Sequence, residues 1–116
     1  MVERAPLVLP GLLLAGGWRG LAFAPFRPGV EIHRLYGDGG DGPSAALLRY
    51  APGASVPLHE HTGFEHVLVL DGSQEDERGR YLAGTLAVNP PGSRHSVRSA
   101  EGCVALLVWE RPVRFV

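Results

Sequence analysis

The sequence contains no lysine, because all 11 of its basic residues are arginine. Schiff-base chemistry and general-base catalysis by a lysine are therefore excluded. The arginines are balanced by 12 acidic residues, which leaves a formal net charge of -1. Such a chain has no general electrostatic attraction to nucleic acid or to an anionic membrane surface. We expect neither of them as a partner.

Cysteine is nearly absent, with Cys103 as its single occurrence. One cysteine excludes an internal disulfide and any CxxC redox or zinc-ribbon site. Cys103 lies in an apolar segment, which favours a buried structural thiol over a reactive one. A chain without disulfides fits a reducing compartment, so we predict a cytoplasmic protein.

The sequence also lacks an apolar segment long enough to span a membrane. Its apolar start, Pro6 to Ala15, has some features of a signal peptide. However, Glu3 lies in the charged region, Pro10 and Gly11 interrupt the apolar run, and no small-x-small cleavage site follows. We interpret residues 1–17 as an ordered N-terminal arm that covers a sheet or a partner subunit, and residues 18–116 as a single domain.

No stretch of the chain shows a sustained helical period, and 16 glycines and 10 prolines separate many short apolar runs. This pattern predicts short strands joined by tight turns, as in an all-β sandwich or barrel. We expect Asp71–Gly72 to form a hairpin turn and residues 75–80 to form a solvated charged turn. The predicted strands are 18–26, 30–36, 45–51, 64–70, 85–89, 96–98, 104–109 and 113–116.

The stretch from Gly53 to Gly72 contains the one close cluster of metal-binding residue types. His59 and His61 are two residues apart, so both imidazoles leave an extended backbone on one face. Glu65 stays on that face if the extended register survives the bend at residues 62–63. His95 lies in a second strand-turn-strand unit that can fold back beside the first. Three imidazoles and a carboxylate suit a divalent transition ion.

Other residues that carry useful chemistry have simpler interpretations. His66 has the opposite strand parity from Glu65 and should point away from the ion. His33 lies near no other ligand type, so a packing or surface role is favoured. Arg49 is expected in a structural ion pair, with binding of an anionic group in the pocket as the alternative. The side chains expected to fill the barrel interior are Tyr50, Phe64, Leu106 and Trp109.

Two segments together resemble the cupin superfamily. Residues 53–72 match the first cupin motif, G-x5-H-x-H-x3-E-x6-G, at every defined position. Residues 84–95 match the second, G-x5-P-x-G-x2-H, through Gly84, Pro90, Gly92 and His95. The family pattern usually ends in Asn where this chain has Ser99, and that Asn is commonly structural.

Finer features are similar to the cupin domain of the ChrR group, in which it follows a zinc-binding anti-sigma domain. They are carried by residues 25–32, 47–54 and 101–103, and with the two motifs the resemblance extends over about residues 18 to 110. The His and Cys zinc ligands of the anti-sigma domain have no counterpart before residue 18. Sigma-factor inhibition is therefore not expected of this sequence.

The resemblance implies a double-stranded β-helix, the cupin or jelly-roll barrel, with one divalent metal ion near its mouth. The implied ligands are His59, His61, Glu65 and His95. Zinc is the favoured ion, with iron, manganese and nickel as alternatives. Because such ions take five or six ligands, a position stays open for water or a small molecule.

Two functions remain open from the sequence. The first is a ligand- or oxidant-responsive binding and regulatory module, as the ChrR-like features suggest. The second is an Fe(II) cupin dioxygenase that acts on a small chelating substrate such as a dicarbonyl or enediol. No catalytic residue and no organic cofactor is assigned. The apolar arm and the exposed sheet edges predict a homodimer.

Overall fold

The structure, a computed structural model, describes residues 4–116; residues 1–3 of the predicted arm lie outside this range. Residues 4–116 contain no α-helix. No helix in this part of the chain is long and apolar enough to cross a membrane. The strands are β1 (Ala24–Arg27), β2 (Val30–Tyr36), β3 (Ser44–Tyr50), β4 (Ser55–Glu60), β5 (Glu65–Asp76), β6 (Gly79–Leu82), β7 (Leu86–Asn89), β8 (Arg94–Arg98), β9 (Cys103–Trp109) and β10 (Arg114–Phe115). The predicted all-β class is confirmed.

The strands pair in antiparallel fashion and form two sheets that share β5. The first sheet has the order β1-β2-β3-β9-β5-β7. The second has the order β6-β5-β8-β4-β10. The first half of β5 belongs to the first sheet and its second half to the second, so the sheet curls over on itself. This is the expected cupin architecture.

The predicted hairpin at Asp71–Gly72 is wrong, because β5 runs through both residues to Asp76. Its pairing with β9 shifts register between Val69 and Asp71. Gly72 has a φ of 69°, and a Cβ at this position would collide with the carbonyl oxygen of Gly102. The bulge and the glycine bend the strand from one sheet into the other without ending it.

The main core fills the space between the two sheets. Strand β3 illustrates the alternation, since Leu48 and Tyr50 point into this core while Leu47 points to the other face of the first sheet. Burial of apolar side chains on alternating positions is what fixes the strand register. The buried core residues are Val30, Ile32, Ala46, Leu48, Tyr50, Val56, Val67, Val97, Cys103, Ala105 and Leu107.

The outer face of the first sheet is covered in part by the segment before β1. Trp18 is buried there against Leu47 and Val104, and Leu12 packs against the same cluster. The predicted strand 18–26 is too long, because residues 18–20 form turns and the strand begins at Ala24. Leu106 also packs in this outer cluster, so its predicted place inside the barrel is wrong.

Candidate metal centre

The histidines of the two motifs lie on neighbouring strands of the second sheet. His59 on β4 is the direct cross-strand partner of His95 on β8. The pairing shifts register between Val56 and His59, so Val56 and His59 are both buried although they are an odd number of positions apart along the strand. His61 follows the end of β4, and its backbone amide donates to the carbonyl oxygen of Ser93 over 2.9 Å.

The structure brings the imidazoles of His59, His61 and His95 together. One ligand atom from each ring lies within 4.8 Å of the corresponding atoms of the other two. The centroid of the His95 ring is 4.7 Å from that of His59 and 4.7 Å from that of His61. Relative exposures of 4%, 1% and 5% keep the three side chains out of bulk water. Such a set of nitrogens can hold a divalent transition ion.

Each of the three rings is fixed through its Nδ1 atom. His59 Nδ1 is 2.8 Å from the carbonyl oxygen of Pro57, and His61 Nδ1 is 3.1 Å from that of Ser93. A carbonyl can only accept a hydrogen bond, so these Nδ1 atoms carry the proton and donate it. His95 Nδ1 donates to Asp76 Oδ2 over 3.0 Å. The Nε2 lone pairs are therefore the ones left for a cation.

Glu65 lies beside this cluster and is only 3% exposed. Its Oε1 is 3.2 Å from His61 Nε2, and among the described residues this Nε2 has no hydrogen-bond partner. With the proton of His61 on Nδ1, two lone pairs would face each other over this short distance. A proton or a metal ion between them removes the repulsion. The donor set therefore fits a bound divalent metal.

The Glu65 carboxylate is held by two donors from the neighbouring strands. Trp109 Nε1 donates to Oε2 over 2.6 Å, and Asn89 Nδ2 donates to Oε1 over 3.0 Å. Both donors are the cross-strand partners of Glu65, Trp109 on β9 and Asn89 on β7. The sheet register thus sets the orientation of the carboxylate.

Burial and hydrogen bonding act on the acid and base groups of the site. Burial alone would raise the pKa of Glu65, but the interaction with His61, the charge of His95 and the hydrogen bond from Asn89 hold it below its ordinary value. Burial lowers the pKa of His59, against a raising effect of its hydrogen bond to Pro57. A charged carboxylate beside a neutral imidazole is the protonation state that binds a cation.

Asp76 is a site residue that the sequence prediction missed, since residues 75–80 were expected to form a solvated turn. It is the last residue of β5, and its side chain is 6% exposed. Besides accepting from His95, it accepts from the Tyr81 hydroxyl over 3.0 Å. Burial raises its pKa, but the hydrogen bonds from His95, the Arg78 amide and Tyr81 outweigh this effect and hold the pKa below its usual value. Asp76 orients His95 and fixes its tautomer.

A cavity of about 80 Å³ opens next to the histidines, inside the barrel. Its walls are mostly apolar, with Val56, Val67 and Leu107 among them. Its polar lining residues are Arg27, Tyr50, His59, Glu65, Gln74 and His95. A small molecule in this space would contact the metal-binding groups directly.

The remaining candidates have the simpler roles. His66 is exposed, and Arg49 forms an ion pair with Glu31 at 2.7 Å, so the favoured interpretation of each is confirmed. His33 Nδ1 contacts the carbonyl oxygen of Ala22 at 2.7 Å. Phe64 is 45% exposed and does not fill the barrel. Cys103 is buried, and burial raises the pKa of its thiol to about 11, which fits the expected structural thiol.

Ser99 takes the place of the Asn that usually ends the second cupin motif. It is fully buried, and its hydroxyl donates to the carbonyl oxygen of Ser73 over 2.6 Å. This bond joins the segment after β8 to the second half of β5, and Ser99 has no contact with the histidine cluster among its hydrogen bonds in residues 4–116. In the described part of the chain, Ser99 therefore ties these two segments together.

Comparison with known proteins gives relatives of two kinds. The chain is 35% identical over 77 residues to the anti-sigma-E factor ChrR of Cereibacter sphaeroides, covering 64% of this chain and 36% of that protein. It thus spans about a third of the length of this curated relative. The solved complex of Rhodobacter sphaeroides SigE with the anti-sigma ChrR aligns at 28% identity and a TM-score of 0.67, over 77% of this chain and 48% of that one.

A putative acetylacetone dioxygenase from Methylibium petroleiphilum PM1 aligns with a TM-score of 0.79 over 100% of this chain and 84% of its own. The identity is only 15%, so this likeness shows the fold alone. The model of the ChrR Cupin-like domain family matches residues 18–114. This match includes both motifs and all the residues of the histidine cluster, and the chain belongs to the ChrR cupin-like domain family.

Proposed function

We propose that this protein is a metal-dependent binding module whose metal ion and adjacent cavity respond to a small ligand or an oxidant. The observation that carries the proposal is the arrangement of His59, His61 and His95. Three buried imidazoles converge, each with its Nδ1 anchored, and those of His59 and His95 line a cavity. A purely structural site would not adjoin such a space, and an ion that takes five or six ligands keeps a position open beside four protein groups.

The proposed ligand set is His59, His61, His95 and Glu65, with Glu65 as the fourth member. The support for Glu65 is the 3.2 Å approach of its Oε1 to His61 Nε2. Its Oε2 is occupied by the Trp109 indole, so we expect Glu65 to offer one oxygen only. Zinc is the ion we favour, because the ion need not change its oxidation state in a regulatory module. When bound, the metal supplies a Lewis-acidic position at which a small ligand can dock.

A second candidate is an Fe(II)-dependent dioxygenase that acts on a dicarbonyl or an enediol. The specific observation in its favour is the cavity beside the histidines, which would hold a small substrate against the metal. In this case the apolar walls at Val56, Val67 and Leu107 would exclude bulk water, and the carboxylate of Glu65 would accept a proton from the substrate.

Metal analysis separates the two candidates. The protein is purified without added metal, its metal content is measured by elemental analysis, and oxygen uptake is recorded after loading with ferrous ion and a panel of dicarbonyls. Stoichiometric zinc without oxygen uptake supports the binding module, which then requires that a ligand or oxidant changes the stability or association of the zinc-loaded protein. Stoichiometric iron with turnover supports the dioxygenase instead. A protein that retains neither ion contradicts both.

We also propose that residues 1–17 act as an arm on a barrel of residues 18–116 and that two copies associate. In the described part of the arm, Leu13 and Leu14 are 75% and 72% exposed. On β7, Leu86 and Val88 are 58% and 49% exposed, and among the strands of residues 4–116 β7 pairs with β5 alone. A second copy that covers these apolar side chains would remove them from water and would protect the edge of β7.

A location in the cytoplasm is part of the same proposal. Its support is the single buried Cys103, which needs no oxidising compartment, and the likeness to the anti-sigma factor ChrR. A sigma factor as partner is a property of ChrR and SigE and is not assigned to this chain.

A further inference from the structure

The cavity beside the histidines adjoins an outer vestibule, which we define as the space of about 260 Å³ between Phe26, Arg34, Asp38 and Pro112. The two spaces share the side chains of Phe26, Trp109, Val113 and Phe115 in their walls. These side chains therefore separate the vestibule from the cavity beside the histidines.

Arginines line both spaces, Arg27 the inner cavity and Arg34 the vestibule. The Arg27 guanidinium carbon lies 4.3 Å from the centroid of the Phe115 ring. Within residues 4–116 neither arginine forms an ion pair with a carboxylate. By contrast, Arg98 and Arg114 in the second sheet each pair with a glutamate, at 2.9 and 2.7 Å.

The Arg27 side chain has the properties of an anion-binding group. A guanidinium stacked on an aromatic ring keeps its in-plane N–H donors free, and these match the two oxygens of a carboxylate. Its charge acts on the cavity wall, because burial raises the pKa of Tyr50 and the charge of Arg27 opposes that rise. Arg34 shares the vestibule with Asp38, whose charge offsets its own. Arg27 is therefore the stronger anchor.

We infer that the ligand of this site is a small organic carboxylate. Its carboxylate group would bind the Arg27 guanidinium, and the rest of the molecule would lie among the apolar walls, facing the histidines. The size follows from the cavity of about 80 Å³, roughly half of one that admits benzene. This inference rests on the proposed function, since it names the class of molecule that the metal-dependent module binds.

The test is calorimetric titration of the zinc-loaded protein with pyruvate and with 2,3-butanedione, a neutral molecule of nearly the same shape. Pyruvate is expected to bind at least about tenfold more tightly, the effect of a hydrogen bond to a charged group. Arg27→Gln should abolish this preference without changing the zinc content. Arg98→Gln, which removes an exposed arginine on the second sheet, should leave the preference intact.

Equal binding of the two molecules, or an unchanged preference in Arg27→Gln, would overturn the inference. The same titrations on zinc-free protein keep its failure distinct from that of the proposed function. If the wild-type protein retains no zinc, the proposed function fails, while a pyruvate preference that depends on Arg27 still upholds the carboxylate assignment. If zinc binds and the preference is absent, only the carboxylate assignment fails.

Discussion

The indole of Trp109 donates to the carboxylate of Glu65 over 2.6 Å, and the two residues face each other across β9 and β5. The bond fixes one oxygen of a buried, charged group whose other oxygen approaches His61. The last residue of β9 thereby sets the position of the carboxylate beside the histidine cluster.

Trp109→Phe removes this donor while retaining an aromatic ring. The unpaired Oε2 should lower the free energy of unfolding by about 1–3 kcal/mol, and the loss of orientation should weaken metal binding by roughly tenfold or more. Urea unfolding and competition with a chromogenic chelator measure the two effects. Trp18→Phe is the matched control, because Trp18 is buried but its Nε1 has no hydrogen-bond partner among the described residues. An equal loss of metal affinity in both variants would contradict the role of the Trp109 bond.

His61→Ala should cut the metal content sharply, because it removes one of three converging nitrogens. The barrel should remain folded, since the apolar core between the sheets is unchanged. Elemental analysis and far-UV circular dichroism test the two statements. His66→Ala serves as the control, because His66 is exposed and should not affect the metal content. If His61→Ala binds metal as the wild type does, the ligand assignment is wrong.

Asp76→Asn should weaken metal binding without abolishing it. The carboxylate accepts the Nδ1 proton of His95, and a neutral amide holds that proton less strongly, so His95 becomes a poorer ligand. Losses of about 10- to 100-fold are usual for such outer partners. Glu77→Gln is the neighbouring control, because Glu77 contacts Ser96 and not a histidine. Chelator competition that found both variants equal to wild type would refute the orienting role of Asp76.

The histidines could be found from the sequence because their signal is local. Strand parity relates His59 to His61, and the spacing of the two motifs adds Glu65 and His95. Most strands were also predictable, since alternating apolar residues between glycines and prolines report the face that each strand buries. Strand β2, from Val30 to Tyr36, has the predicted bounds.

Trp109 and Asp76 could not be found in this way, because their roles depend on pairing between distant segments. Trp109 reaches Glu65 only through the β5–β9 register, which no local pattern specifies. Asp76 could not be recognised because its charged neighbours Glu75, Glu77 and Arg78 indicate a solvated turn. The sequence predicts a hairpin at Gly72, but β5 bends there and continues to Asp76, whose side chain reaches His95.

Leu86→Lys should shift the protein from dimer to monomer if β7 contributes to the proposed interface. A charge on an edge strand opposes its burial against a second copy. Light scattering at micromolar concentration measures the association state. Leu58→Lys is the comparison, because Leu58 on β4 is similarly exposed at 42% but lies on the other sheet. A wild-type protein that is monomeric under these conditions would contradict the dimer, and a dimeric Leu86→Lys protein would place its interface elsewhere.

Acidification should destabilise the metal-free protein in two steps. The folded-state pKa of His59 is lowered, so below about pH 6.5, the ordinary value for histidine, the unfolded chain binds a proton that the folded one does not. The free energy of unfolding therefore decreases as the pH is lowered through this range. The folded-state pKa values of Glu65 and Asp76 are also lowered. Their stabilising contribution is complete above their ordinary values near pH 4 and is lost as the pH falls below them.

Urea unfolding of chelator-treated protein at about pH 7.5, 5.5 and 3 measures these steps, chosen to bracket the ordinary pKa values of histidine and the carboxylates. His59→Gln has no titrating ring at this position, so its stability should change less than that of wild type between the first two conditions. His66→Gln should follow the wild type, because His66 is exposed. A stability that stays constant or rises from pH 7.5 to 5.5 would show that the buried His59 ring is not held neutral. A neutral His59 ring could then not be assumed in the metal-free protein.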